Sequence, residues 1–441
     1  MGKIVKNYIL KKYDNDIIDF DIVKEDYDDY KVVINSIIDK RNLPNNVFNE
    51  RTLLKWLNHR SIPKNRAFVL QILKNQNIDP NNMIELINIS KGLSLNDVYW
   101  IVDKDFKGTF KEYNLYENDF SEILSLIAYT GKYNDSTDSP ISPEWTTSGN
   151  LPKCWRRENN ELYLYKAGTS KEILMNREGY EPYSEYYISK ILDDLKIEHV
   201  NYDLKDFKGK IASVCKCFCD IEYSLVPMSE IVVDNKYNSL KTFINEHGFN
   251  KDFSNMILID ALTYNGDRHY NNFGVIKNNR TNEIIKLAPI YDNGLGLFSY
   301  VSDFTICNKE NMEEEVKLGE VSNWGILHSN LLLDNLSDDT YSKLIKMKDY
   351  KIQKHEKYNL SDDRLIQLNK ILNNRAKELI EEINKNKNKT IDNTKPIIIQ
   401  PLENYSKEEI NNDNVEKNKI NENDIKKDKA NRNLDNEDPE H

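Results

Sequence analysis

Two stretches of the chain collect the residue types that phosphoryl transfer needs. They are Asn265-Gly-Asp267-Arg268-His269-Tyr-Asn-Asn272-Phe-Gly and, further on, Leu287-Ala-Pro-Ile-Tyr-Asp292-Asn-Gly294. In such chemistry one acid orients the attacking hydroxyl and accepts its proton, while an amide and a second acid hold a divalent cation against the phosphates. Asp267 and Asn272 stand five residues apart, the spacing of the catalytic aspartate and metal-binding asparagine in kinase-type loops. Asp292, at a strand end before Asn-Gly, occupies the place of a second cation ligand. Taken singly, each is an ordinary turn residue, because Asn, Asp and Gly mark loops everywhere; their order and context carry the reading. Arg268 and His269 are read as bracing the loop rather than reacting.

A phosphate cradle and a lysine should lie upstream. Thr146-Thr-Ser148-Gly149-Asn150-Leu-Pro152-Lys153 precedes a strand and could turn backbone amides toward phosphate. Lys166 closes the strand Leu-Tyr-Leu-Tyr-Lys. An ammonium ending a half-buried strand needs a partner, and Glu185, three residues before Ile188, shares the helix face turned toward the sheet. The plainer alternative for Lys166 is a surface lysine whose stem snorkels along the sheet.

The elements that must position these groups follow from hydrophobic periodicity. Leu162–Lys166 and Ile211–Cys219 read as strands, and Glu185–Leu195 as a helix with Ile188, Ile191, Leu192 and Leu195 on one face. Asn255–Thr263 is nearly continuously apolar, as expected for a helix buried on all sides. Strand-like segments follow at Phe273–Ile276 and Ile284–Ile290, and a last helix at about Asp363–Ile383. At the N-terminus, Ile4, Val5, Tyr8 and Ile9 suggest a strand or hairpin. Arg51–Trp56 and Ala67–Lys74 are amphipathic, separated by a break at Ser61-Ile-Pro63. These features divide the chain into an N-terminal module (1–138), a mixed region (139–226), a mainly helical region (227–385) and a tail (386–441). Turn formers at 133–143 mark the first boundary. The tail is charged and poor in apolar residues, so it is expected to be disordered, with one apolar island at Pro396–Leu402.

Composition narrows the function classes. With 61 Lys and Arg against 72 Asp and Glu, the net charge is −11, which argues against a chain that binds nucleic acid or membrane surfaces as a whole. No stretch reaches the roughly 20 apolar residues of a membrane span, and the N-terminus carries no secretory signal pattern. Five cysteines suggest no disulfide framework, so a cytoplasmic protein with reduced thiols is expected. Cys215, Cys217 and Cys219 alternate, and a core strand presenting them on one face is favoured over a metal site. Arg51, Lys55, Arg60, Lys64 and Arg66, with Trp56 among them, form a basic stretch that could touch nucleic acid.

The quoted segments resemble a known family. NGDRHYNNFG with LAPIYDNG is similar to the HipA-like kinases, and SGNLPK at 148–153 looks like that family's phosphate loop. Trp56-Leu-Asn-His-Arg60-Ser-Ile-Pro63-Lys-Asn-Arg66 and Gly92-Leu-Ser-Leu-Asn-Asp-Val-Tyr-Trp100 resemble a subgroup from Gram-positive bacteria with a distinct N-terminal module. The resemblance implies an α+β, two-lobed protein-kinase-like fold after that module, with 139–226 as the N-lobe and 227–385 as the C-lobe. It implies transfer of the γ-phosphate of ATP, with Mg2+, to serine or threonine of a protein substrate. Asp267 would be the catalytic aspartate, and Asn272 and Asp292 the magnesium ligands. Lys166, held by Glu185, would meet the α- and β-phosphates. Ser148, Gly149, Asn150 and Lys153 would form the phosphate loop, and Lys216, Cys217 and Phe218 the strand leading into the hinge, whose backbone groups would meet adenine. The family often has an acid where Lys216 stands. The subgroup lacks the usual N-terminal domain, so dimerisation and antitoxin docking do not carry over directly. A toxin-like role, an antitoxin or other regulatory partner and autophosphorylation in the loop all belong to the same implication. The rival readings are a DNA-associated regulator acting through the basic stretch and a small-molecule kinase with the same core.

Overall fold

The computed structural model describes residues 4–24, 30–132, 136, 138–169 and 179–392. The expected tail beyond 392, with its apolar island, and part of the 133–143 boundary lie outside them. Residues 1–384 pack as one unit.

The N-terminal alternation builds a hairpin of β1 (Ile4–Lys12) and β2 (Asn15–Lys24), turning where Tyr13 adopts φ 52°. With β3 (Tyr30–Ile37) and β4 (Tyr99–Asp103) it forms an antiparallel sheet of order β3-β2-β1-β4. Tyr8, Leu10, Phe20 and Ile22 pack against Leu53, Trp56 and Leu57 of the helix Glu50–His59. A capping box starts that helix: Thr52 N–H donates to Asn49 Oδ1 at 2.9 Å, and Asn49 N–H donates to Thr52 Oγ1 at 3.0 Å. The break at Pro63 runs on to Phe68, so the next helix is Val69–Asn75, two residues later than its pattern suggests.

A second antiparallel sheet, of order β5-β6-β8-β7, follows. Its strands are β5 (Lys153–Glu158), β6 (Glu161–Ala167), β7 (Tyr202–Phe207) and β8 (Lys210–Lys216). The helix Glu181–Leu195 starts a turn earlier than expected, with Pro182 in its first turn, where a missing N–H costs nothing. β8 stops at Lys216, three residues short of the expected end. Beyond it the cysteines separate: Cys215 packs with Val200 and Tyr202, whereas Cys217 packs in the cluster around Trp100 and Leu162.

The remainder is mainly helical. In the helix Asn250–Thr263 every residue from Phe253 onward is buried, so the apolar run does mark an all-round buried helix. A small sheet of order β11-β10-β9 lies beside it, built from β9 (Tyr223–Pro227), β10 (Gly274–Asn278) and β11 (Ile284–Leu287). The last helix, Asp362–Asp392, buries Leu365, Leu368, Leu372, Ala376, Leu379 and Ile383 on one stripe. It continues past the expected end, so residues 386–392 are helical rather than tail, because adding a turn to an existing helix costs far less than starting one. The architecture is α+β, with a helix-backed antiparallel sheet preceding a helical part.

Candidate active site

A carboxylate in the middle of a buried helix demands partners, and Asp260, 1% exposed, finds them in the loop that follows. The helix ends at Tyr264, φ 54°, and Arg268 turns back onto it. Arg268 Nε donates to Asp260 Oδ2 and Nη2 to Oδ1, both at 2.9 Å. Asn265 Nδ2 adds a third bond to that carboxylate, also at 2.9 Å. The same guanidinium donates from Nη1 to the carbonyls of Asn272 (2.8 Å) and Tyr291 (2.7 Å), and from Nη2 to Asn293 Oδ1 (2.6 Å). One buried side chain therefore ties the helix, the 265–272 loop and the 290–294 segment together, which is the bracing role read for Arg268.

On this frame Asn272, 7% exposed, donates its amide N–H to Asp267 O (2.8 Å) and Asp267 Oδ2 (3.1 Å). Burial raises the Asp267 carboxyl above the ordinary range; His269 opposes this and Asp292 adds to it. Asp292 sits in the left-handed region at φ 55°, an uncommon conformation for a residue with a Cβ. Its Oδ1 meets Lys166 Nζ at 2.5 Å, while Glu185 Oε1 meets the same ammonium at 2.6 Å. Asn293 N–H donates to Glu185 Oε2 at 3.2 Å. Burial works against both charges, yet the two carboxylates hold the Lys166 pKa well above its usual value, and Lys166 with Lys153 and Arg268 holds Asp292 well below its own. Lys166 is thus an internal cation rather than a snorkelling one.

Lys153 lies opposite Lys166 in the β5–β6 register, so both side chains share one face. Burial first, and then Lys166, push Lys153 down to about 7. Its Nζ donates to Ser148 O at 2.8 Å. Ser148, Gly149 and Asn150 are exposed, and Gly149 has φ 87°, a conformation that residues with a side chain rarely adopt. Lys153, Lys166, Asp267 and Asp292 therefore act on one another's charge, with Glu185 bonded to Lys166, Asn272 to Asp267, and Lys153 to the exposed loop at Ser148.

The hinge residues divide. Lys216 pairs across from Tyr163, on the face opposite Lys166, and its ammonium bonds Glu161. Its side chain therefore points away from Lys166, and the part expected of residues 216–218 belongs to their backbone groups. Cys217 N–H is engaged by Leu162 O at 2.8 Å. Phe218 does face the site, its ring 5.6 Å from that of Tyr291. It joins Leu164, Val200, Tyr202, Cys215 and Tyr291 in an apolar patch, and Asp292 N–H donates to Tyr202 Oη at 3.4 Å. Sequence reasoning gave no part in the site to Leu164, Val200, Tyr202 and Tyr291, nor to Asp260, Asn265 and Asn293. A signal existed only for Asp260, as a charge inside an apolar helix. The basic stretch is also partly internal: Arg60 pairs with Asp97 and lies over the Trp56 ring at 4.3 Å, and Arg66 is buried.

No protein-family model matches the chain. Its sequence is similar to the serine/threonine-protein kinase CtkA of Helicobacter pylori, 29% identical over 178 residues, or 35% of this chain and 53% of the relative. The chain thus spans about half the length of the curated relative it matches. The crystal structure of a Helicobacter pylori proinflammatory kinase CtkA superposes with a TM-score of 0.43 at 20% identity, over 54% of this chain and 95% of that one. A Shewanella oneidensis structure of HipA with HipB and operator DNA gives 0.47 at 11% identity, over 86% and 99%.

Proposed function

We propose that this chain is an ATP- and magnesium-dependent kinase that phosphorylates serine or threonine hydroxyls of a protein substrate. The observation that carries it is Lys166, held between Glu185 and Asp292 at 2.6 and 2.5 Å, beside Asp267 and Asn272 on one guanidinium-braced loop. Lys166 supplies the fixed positive charge that α- and β-phosphates require. Asp292 offers a carboxylate and Asn272 an amide oxygen, its N–H group being turned to Asp267. Such a pair of oxygen donors suits magnesium, which keeps waters and phosphate oxygens in its other positions. Bound there, magnesium would neutralise the charge on the phosphates.

The remaining roles follow from placement. Asp267 accepts the proton of the attacking hydroxyl, and the upward direction of its pKa moves it toward the working range of a general base. The exposed loop 148–150 and Lys153 hold the outer phosphates. The patch of Leu164, Val200, Cys215, Phe218 and Tyr291 receives the adenine. In the loop, Thr147 Oγ1 already donates to Pro143 O (2.8 Å) and accepts from Trp155 Nε1 (3.0 Å). Ser148, exposed, is therefore the hydroxyl open to autophosphorylation. A phosphate there would place about −1.5 to −2 charges against the nucleotide's own and switch the enzyme off. A cytoplasmic location rests on the cysteine usage and the N-terminal sequence, and a toxin-like role and an antitoxin or regulatory partner on the family resemblance. The DNA-regulator reading is weaker, since Arg60 and Arg66 are turned inward.

The test is incorporation of labelled phosphate from ATP and magnesium into lysate protein, comparing wild type with Asp267→Ala. Asp267→Ala should retain ATP-dependent thermal stabilisation and lose about a hundredfold or more in transfer. Phosphate on the 146–153 peptide should appear in the wild type alone. Label entering only small molecules would indicate a small-molecule kinase. Turnover above about a tenth of wild type in Asp267→Ala would overturn the assignment.

A further inference from the structure

The phosphate loop contains one glycine and no regular hydrogen-bonding pattern of its own, yet it is held in one shape from beneath. Arg66, which comes from the N-terminal region 78 residues before Glu144, is 2% exposed. It forms an ion pair with Glu144 in which both side chains are 0% exposed. Arg66 Nη1 donates to the carbonyls of Glu144 and Thr147, the latter at 3.4 Å, and Nη2 donates to Lys153 O at 3.2 Å. The next residue, Ala67, donates its N–H to Asn150 O at 3.0 Å. One carbonyl just before the loop and three along it are thus all drawn to two consecutive residues. Glu144 Oε1 in turn accepts Trp155 N–H at 2.7 Å, and Thr146 Oγ1 donates to Leu93 O at 2.7 Å.

A trans peptide is planar, so its carbonyl and the following N–H point in opposite directions. Drawing Thr147 O inward turns Ser148 N–H outward, and drawing Asn150 O inward does the same for Leu151 N–H. Among the described residues, neither N–H is taken by an internal acceptor. Outward amides on an exposed loop beside Lys153 form a concave set of donors suited to phosphate. A loop with more glycines could reach such a shape upon binding; here the shape is imposed beforehand by another part of the chain.

We propose that Arg66, with Glu144, is a positioning residue of the nucleotide site, so that the N-terminal region is a working part of the phosphate loop. The proposal deepens the kinase reading and rests on residues 146–153 being that loop. Arg66 recognises no ligand itself; it presents Ser148 and Leu151 N–H to the phosphates of a nucleoside triphosphate.

The experiment compares affinities of the full chain for ATP with magnesium and for adenosine, by calorimetry at fixed salt, with melting curves alongside. The variants are Arg66→Lys, the double Arg66→Met with Glu144→Gln, and Lys153→Met. The double variant leaves no charge alone in the buried site, which is what usually makes such removals unfold a protein. Arg66→Lys keeps the charge, but an ammonium cannot serve a planar set of acceptors as a guanidinium does. Misdirecting an amide that meets a charged phosphate oxygen should weaken ATP about tenfold or more, with adenosine within about twofold of wild type. A merely structural pair would move both ligands together or neither, and that result overturns the proposal. If Lys153→Met weakens ATP while both Arg66 variants leave it unchanged, the loop assignment stands and the clamp is refuted. If wild type binds ATP no more tightly than adenosine, the loop assignment fails and the clamp falls with it. Should the double variant fail to fold, Arg66→Lys decides alone.

Discussion

Arg268→Ala tests the frame on which every other role depends. Arg268 makes five hydrogen bonds, to Asp260 twice, to the carbonyls of Asn272 and Tyr291 and to Asn293. Removing the guanidinium strands Asp260, a carboxylate 1% exposed, with Asn265 as its one remaining side-chain partner. A buried charge left uncompensated costs about 3–5 kcal/mol, and each orphaned carbonyl adds roughly 1 kcal/mol or more. The loss should be about 5–7 kcal/mol out of a total of the order of 5–15 kcal/mol. Urea unfolding gives the number directly. The sign of a second change is more diagnostic. Asp260→Asn should destabilise the wild type, because it breaks a bidentate ion pair. In the Arg268→Ala background it should instead stabilise, because it removes the stranded charge. If the double variant is no more stable than Arg268→Ala, the Asp260–Arg268 pair does not hold the loop as described.

Lys153, held down to about 7, has an ordinary lysine value near 10.5 in the unfolded chain. Below about pH 7 both states carry its charge and burial penalises the fold. Between there and about 10.5 the unfolded chain binds more protons, so stability rises with pH. Lys153→Met should therefore be the more stable protein at pH 6–7, and its advantage should shrink by pH 10; an advantage in melting temperature that is constant across that range would refute this. Asp292→Asn should reduce the stabilisation by ATP and magnesium together, since a charged oxygen suits the hard cation better than an amide. An unchanged thermal shift with both would count against Asp292 as ligand.

Much of the candidate site could be read from residue types and order. Asp267, Asn272 and Asp292 are recognisable because loop spacing along the chain sets their relation before any packing occurs. The helix Asn250–Thr263 declares itself through an unbroken apolar run, since burial on all sides leaves no polar stripe. Lys166 and Glu185 could be paired because a strand end and a helix face imply their directions. Tertiary structure decided what depends on meetings across the chain. Strand parity turned the Lys216 side chain away from Lys166, and the early end of β8 sent Cys215 and Cys217 into different clusters. Asp260, Arg268 and Asn293 become one network only when a helix end and two loops converge. Arg66 looked like a surface cation of a basic stretch. It lies under residues 147–153 instead, because Glu144 and three carbonyls form an acceptor set that no local pattern reveals: ion pairs are selected by proximity in space, and sequence spacing carries that information only within a helix or a strand.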